Sequence, residues 1–207
     1  MTRSEIETFF STLPPNAIYA LCDQALLDSH TLDLEPFVDA CRRLNVSVIQ
    51  YRNKNADSDA VKAALERLRG LWEEMLIIND RWQLHALCDG VHVGQDDLRR
   101  FGEDDAAACA ALRGEVGDAS VIGLSTHNAE EIAAANKLGI DYIGLGAFRA
   151  TGTKTDAAVL GEDLDTLAAA SIHPVAAIGG VGLDDRFTHA RMRVMGSAIV
   201  REALRWK

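Results

Sequence analysis

Short apolar runs rich in β-branched residues recur along the chain, and each is followed by a stretch whose apolar positions return every three to four residues. Runs of the first kind have the pattern of buried strands, and stretches of the second that of amphipathic helices. The pattern predicts strands at Ala17–Leu21, Val46–Gln50, Leu76–Asn79, Gly90–Val93, Val121–Leu124, Tyr142–Gly146, Val175–Ile178 and Val194–Met195. Between and after them it predicts helices around Leu34–Leu44, Ser58–Trp72, Arg81–Leu87, Asp104–Arg113, Ala129–Leu138, Glu162–Ala169, Asp184–Ala190 and Ala198–Arg205. An opening helix, Ser4–Ser11, precedes the first strand and stops at Pro14-Pro15, because neither proline can donate a helical hydrogen bond. No linker, repeat or low-complexity tract interrupts the series.

Strand-then-helix units in this number match a (β/α)8 barrel, and 207 residues is at the short end of that fold's range. The expectation is therefore one α/β barrel domain spanning 1–207, with a short helix before its first strand. An open doubly wound sheet is the competing arrangement. It would favour a glycine-rich turn after the first strand, where backbone N–H groups approach a dinucleotide pyrophosphate. Cys22-Asp23-Gln24-Ala25 contains no glycine, which demotes it.

Composition narrows the partners. With 21 Lys+Arg against 31 Asp+Glu the net charge is −10, the wrong sign for a protein that holds nucleic-acid phosphates by a general positive field. Hydrophobic residues at 48% and charged residues at 25% suit a folded globular chain and not a disordered one. No apolar run is long enough for a membrane span, and Met1–Pro15 carries Arg3, Glu5 and Glu7 where a signal peptide would be apolar. A cytoplasmic location is expected. Cys22, Cys41, Cys88 and Cys109 are scattered without a C-x-x-C pair, so free buried thiols are expected and not a disulfide framework.

In a barrel of this kind chemistry collects at the C-terminal ends of the strands. After the second strand come Gln50, Arg52 and Lys54, which alternation sends to one side; a solvated basic rim would look the same. Asn79-Asp80 follows the third strand and His92-Val93-Gly94-Gln95-Asp96-Asp97 includes the fourth strand's end; Asp80 and Asp97 would serve equally as helix N-caps. Ser125-Thr126-His127 ends the fifth, but no third residue identifies itself as an orienting partner for a serine–histidine pair. The sixth leads into Thr151-Gly152-Thr153-Lys154, the seventh into Gly179-Gly180, and Gly196-Ser197 lies where the eighth would turn into its helix. Glycines and hydroxyls there suit a phosphate, although one Gly-Gly pair also makes an ordinary tight turn. Two aspartates are too few for an all-protein calcium cage but suit magnesium, which keeps waters and takes its other oxygens from substrate phosphates. The set implies a diphosphate held by metal, Arg52, Lys54 and Lys154, with a second phosphate in the glycine-rich corner.

These residues, in this order, resemble the thiamine-phosphate synthase (thiamine-phosphate pyrophosphorylase) family. The resemblance runs through Ile18–Asp23, Gln50-x-Arg52-x-Lys54, Ile77–Arg81, Asp89–Asp97, Ile122–His127, Asp141–Gly146, Thr151-x-Thr153-Lys154, Ala177–Val181 and Ser197–Ile199. It implies a magnesium-dependent transferase that joins hydroxymethylpyrimidine diphosphate to a thiazole phosphate, giving thiamine phosphate and diphosphate. Loss of diphosphate would leave a pyrimidine methyl cation for the thiazole nitrogen to attack, with no protein nucleophile. By motif, Gln50, Arg52, Lys54, Asn79, Ser125 and Lys154 would bind the pyrimidine diphosphate, Arg52, Lys54, Ser125 and Lys154 taking the catalytic part. Asp80 and Asp97 would hold Mg2+, and Thr151, Thr153, Gly179, Gly180, Gly196 and Ser197 would bind the thiazole phosphate. Small phosphorylated molecules are the expected partners, with a homodimer left open and neither nucleic acid nor membrane expected.

Departures from the family pattern cluster on the thiazole side. The sixth-strand loop, Gly146-Ala147-Phe148-Arg149-Ala150-Thr151, lacks the two prolines usual there. Cys22 replaces a threonine, Gly196 replaces an aliphatic residue, and the stretch before the last strand is short, with Arg191 and Arg193 in it. The altered sixth-strand loop and the short stretch before the last strand motivate one alternative, a non-catalytic barrel that binds thiamine precursors; a thiazole tautomerase, a close relative within the same fold, is the other. The aspartates with Lys54 and Lys154 favour the synthase, and Arg149, Arg191 and Arg193 are the candidates to compensate in the altered phosphate corner.

Overall fold

In the computed structural model, which describes residues 1–150 and 159–206, eight parallel strands close into a barrel in chain order. They are β1 (Ala17–Asp23), β2 (Val46–Arg52), β3 (Met75–Asn79), β4 (Gly90–Val93), β5 (Val121–Thr126), β6 (Tyr142–Leu145), β7 (Val175–Ala177) and β8 (Met192–Met195). Every predicted strand is present, with its ends moved by at most two residues. The extensions at β1, β2 and β5 matter, because they put Asp23, Arg52 and Ser125 on paired strand instead of loop.

The helices are α1 (Arg3–Thr12), α2 (Gln24–Ser29), α3 (Leu34–Arg43), α4 (Ser58–Leu71), α5 (Gln95–Arg99), α6 (Asp105–Val116), α7 (Ala129–Ala135), α8 (Asp163–Ala168) and α9 (Ser197–Arg205). The helix expected over Arg81–Leu87 is a 3₁₀ helix, Trp82–Leu87. Two elements went unpredicted, α2 and α5, each too short to show an apolar period. Asp23 starts α2 by accepting the Leu26 N–H at 3.2 Å. Asp96 and Asp97 lie in the first turn of α5, where the helix dipole favours negative charge.

The helix expected over Asp184–Ala190 is absent, although the apolar spacing that suggested it is real. Phe187 and Ala190 are buried and Leu183 packs against the same core, but along an irregular segment. Such a segment needs partners for its backbone polar groups, and side chains from elsewhere supply them. Asp165 accepts the N–H groups of Thr188, His189 and Ala190 at 2.7, 2.8 and 3.1 Å. The Asn16 amide accepts the Phe187 N–H at 2.8 Å and donates to the Phe187 carbonyl at 3.0 Å. Arg193, buried on β8, donates to the carbonyls of Leu183, Asp185 and Asn16 at 2.7, 3.1 and 3.0 Å.

Alternation along the strands divides two cores. Facing inward are Tyr19, Val48, Met75, Ile77, Val121, Tyr142, Ala176, Met192 and Val194. Facing outward against the helices are, among others, Ala20, Ile49, Leu76, Ile78, Val91, Ile122, Ile143 and Val175. Ile6 and Phe10 of α1, with Leu13, join the inner core, so α1 plugs the N-terminal end of the barrel. A reciprocal Thr2–Glu5 capping box starts this helix. Arg3 then pairs with the buried Asp141, which also binds Arg113 and accepts the Ile122 N–H at 2.7 Å. With the N-terminal end closed, access to the interior is from the C-terminal mouth.

Candidate active site

At that mouth lies a cavity of about 670 Å³. Among the described residues its lining includes Gln50, Arg52, Asn79, Ser125, Gly179, Gly180, Gly196 and Ser197, every one of them a residue expected to bind substrate. Lys54 is in an adjoining cleft with Arg52 and Asp23. Thr151, Thr153 and Lys154 lie outside the described residues. Asp80 and Asp97 stand beside the mouth, apart from the main cavity wall.

Arg52 is held from below. Its guanidinium donates to the Asp23 carboxylate, and Asp23 is its register partner on β1. Both side chains are largely buried, so the pair points a cation into the mouth without leaving it uncompensated. Tyr51, on the other side of β2, donates to Gln24 at 3.0 Å and ties the strand to α2. Asp23 was not foreseen as a site residue; its only signal in the sequence was a carboxylate at the end of the first strand.

Gln50 is 4% exposed, and its Nε2 has no hydrogen-bond partner among the described residues. Buried amide donors are nearly always satisfied, so an orphan in a cavity wall marks where a ligand acceptor belongs. Across the mouth Gly179 and Gly180 have φ of 94° and 67°, a backbone that side-chain-bearing residues rarely adopt. A Cβ on Gly179 would lie 2.7 Å from that of Ala147, so the two loops meet only because glycine is there. Arg149 braces this corner: it donates to the Gly180 carbonyl at 2.9 Å and forks onto Asp185 at 2.6 and 2.7 Å. Arg191 instead reaches Ser11 at the opposite end, and Arg193 serves the helix-free segment, so neither is at the phosphate corner.

Asp80 and Asp97 are not helix N-caps: α5 is capped at Gly94, and the 3₁₀ helix has no side-chain cap. They stand against each other. Burial, then the Asp97 charge, push the Asp80 carboxyl above the usual carboxylate range, with Lys54 opposing at 3.9 Å. Asp80 also has a left-handed backbone, φ 61°, with its N–H held by the His92 carbonyl at 2.8 Å. Two half-buried carboxylates within reach of each other fit a small hard cation that draws its remaining oxygens from water and substrate.

Ser125 has a histidine partner, but it is His92 and not the neighbouring His127. Its Oγ lies 3.0 Å from His92 Nε2, whereas His127 turns to Glu131 on α7 at 2.9 Å. His92 was not foreseen in this role, because the pairing joins β4 to β5 across the barrel wall. The site thus combines cations, an orphan amide donor, a serine and a glycine corner, groups suited to binding anions.

The sequence profile of the family described as thiamine monophosphate synthase matches residues 18–203. The thiamine-phosphate synthase of Persephonella marina is 34% identical over 171 residues, 80% of this chain and 77% of that protein. That of Ruminiclostridium cellulolyticum is 33% identical over 189 residues, 88% of this chain and 85% of that protein. Among solved structures, thiamine phosphate pyrophosphorylase from Pyrococcus furiosus superposes with a TM-score of 0.70 at 22% identity, over 92% of this chain and 96% of that one, which supports the barrel. With the profile spanning nearly all of the barrel, and a relative 34% identical over 80% of the chain, the chain belongs to the thiamine monophosphate synthase family.

Proposed function

We propose that the protein joins hydroxymethylpyrimidine diphosphate to thiazole phosphate, releasing diphosphate and forming thiamine phosphate. The observation that carries this reading is the convergence of Gln50, Arg52, Asn79, Ser125 and the two glycine corners on one cavity, with a buried amide donor awaiting an acceptor. In this reading Gln50, Asn79 and Ser125 orient the pyrimidine diphosphate. Arg52, aimed by Asp23, and Lys54 meet its phosphates as they gain charge, Lys154 joining them by motif. Asp80 and Asp97 would hold magnesium, which when bound supplies charge neutralisation for the departing diphosphate. Gly179, Gly180, Gly196 and Ser197 receive the thiazole phosphate, Thr151 and Thr153 joining them by motif alone, so the two reactants meet within one mouth. Loss of diphosphate before attack needs no protein nucleophile; positioning and electrostatic stabilisation carry the rate.

The acidic total of −10 and the four free cysteines agree with a cytoplasmic enzyme acting on small phosphorylated molecules. Among the described residues no helix is long and apolar enough to cross a membrane. The test is to incubate purified protein with both substrates, with and without magnesium, and follow thiamine phosphate and diphosphate. Magnesium-dependent formation of both products is expected. Absence of product at every magnesium concentration, with tight binding of either substrate retained, would instead make the protein a precursor-binding barrel.

A further inference from the structure

The Gly179-Gly180 turn is the part of the mouth most in need of an outside hold. Glycine has the freest backbone of any residue, and neither 179–185 nor 146–150, the loop packed against the turn, contains a proline to stiffen it. Backbone bonds join the two loops: the Phe148 N–H donates to the Ile178 carbonyl and the Arg149 N–H to the Gly179 carbonyl, both at 2.8 Å. A Cβ on Gly180 would lie 2.8 Å from that of Arg149, so the contact is close as well as polar.

The Arg149 side chain adds to these bonds. Its Nη1 reaches the Gly180 carbonyl at 2.9 Å and Asp185 Oδ2 at 2.6 Å, while Nη2 takes Oδ1 at 2.7 Å. Asp185 is itself fixed, because Oδ2 also accepts the Gly182 N–H at 2.7 Å and its backbone carbonyl accepts from Arg193 at 3.1 Å. Phe148 lies against the guanidinium face at 4.2 Å and meets Phe187 of the helix-free segment edge-on at 5.1 Å. An ion pair with a half-exposed arginine is ordinarily worth little. A two-pronged fork that shares its atoms with a carbonyl and a backbone N–H is the exception, since each bond holds the others in place.

Which side of the wall each group occupies decides its role. Ala147, Ala150, Gly179, Gly180 and Val181 line the cavity, but neither Arg149 nor Asp185 does. The N–H groups of Gly179, Gly180 and Val181 have no partner among the described residues and are left for water or a ligand. Arg149 has its charge met by Asp185 and three of its five N–H groups engaged, so it serves the turn and not the ligand. We propose that Arg149 and Asp185 form a clamp behind the cavity wall that sets the Gly179-Gly180 turn for the thiazole phosphate, both being positioning residues for that reactant alone. The part concerning substrate rests on the reading of the glycine corner as the thiazole-phosphate site; the hold on the turn does not.

The test is a double-mutant cycle, read by calorimetry of thiazole phosphate on the whole protein and by the KM for each substrate. Arg149→Ala and Asp185→Asn should each weaken thiazole phosphate about five- to tenfold, leave the KM for pyrimidine diphosphate within about twofold, and combine to no more than the larger single effect. Asp185→Asn keeps an acceptor for the Gly182 N–H, so what it removes is the fork. An Arg149 that met the phosphate itself would be freed by Asp185→Asn and would bind thiazole phosphate more tightly. Tightening, fully additive losses, or an equal rise in the pyrimidine diphosphate KM would each overturn the clamp. A further arm needs no ligand: by nitrogen relaxation on glycine-labelled protein, the Gly180 amide should be rigid in the wild type and mobile in both variants. A Gly180 that stays rigid in both overturns the clamp whatever the kinetics. If Gly180 loosens as expected but the wild type binds no thiazole phosphate, the clamp stands and the reading of the corner falls.

Discussion

At the scale of single residues, the site is built from groups that are poor for stability and good for binding. Gln50 is the clearest, a buried amide donor with no partner among the described residues. Gln50→Leu removes that unmet donor at similar volume, so the variant should be more stable by about 1 kcal/mol in urea denaturation while the KM for pyrimidine diphosphate rises. Equal stability and unchanged KM would deny the amide any ligand. Asp23→Ala acts in the opposite sense: it leaves the largely buried Arg52 guanidinium unpaired and uncaps α2, and should cost about 3 kcal/mol together with most of the turnover. Asp80→Asn or Asp97→Asn should relieve the repulsion between the two carboxylates, leaving thermal stability equal or higher, yet abolish magnesium-dependent turnover. Ordinary activity in both would reduce the pair to a structural contact.

Among the elements, the helix-free segment between β7 and β8 shows how a short chain completes a barrel with less material. Asp165, Asn16 and Arg193 replace the internal hydrogen bonds of a helix with side-chain bonds from three different places. Desolvation works against the Asp165 carboxylate, but the backbone N–H groups of Thr188, His189 and Ala190 outweigh it and hold its pKa below the ordinary value of 3.8. Because the folded-state value is the lower one, this contribution is complete above the unfolded value, near pH 4, and is lost as pH falls through the folded value. Asp165→Ala should therefore cost roughly 2 kcal/mol at pH 7, and the gap between variant and parent should narrow below about pH 4 when melts are compared across pH. A constant gap at all pH values would mean that the carboxylate charge plays no part. Arg149 and Asp185 link the same segment to the loop after β6, which makes the glycine corner depend on these substitutes for a helix.

For the molecule as a whole, closure at one end and chemistry at the other are joined by a continuous inner core. Phe10 of α1 stacks on Tyr142, and Tyr142 bonds His92 beneath the mouth. Phe10→Ala should cost about 3–5 kcal/mol by opening a void in that core, measured by chemical denaturation. It should also lower turnover at temperatures where the barrel remains folded, since Tyr142 loses its support. Full activity under those conditions would confine α1 to stability. The net charge of −10 belongs to this scale too. It opposes long nucleic-acid phosphate arrays, but says little about a mouth where Arg52 and Lys54 gather in one cleft.

The strand series, the barrel and most of the mouth residues were legible in the sequence, because β-branched runs and polar strand ends record local burial and local exposure. Gln50, Arg52, Asn79 and Ser125 could be named from their places at the strand ends. What they face could not. Arg52 meets a carboxylate 29 positions away, Ser125 a histidine 33 away, and Tyr142 a tyrosine 123 away. Those pairings depend on register and barrel closure, which no local pattern encodes. The segment at Asp184–Ala190 makes the same point from the other side. Its apolar period describes burial correctly, but whether backbone groups bond to one another as a helix or to Asp165, Asn16 and Arg193 is settled only when distant parts of the chain arrive beside them.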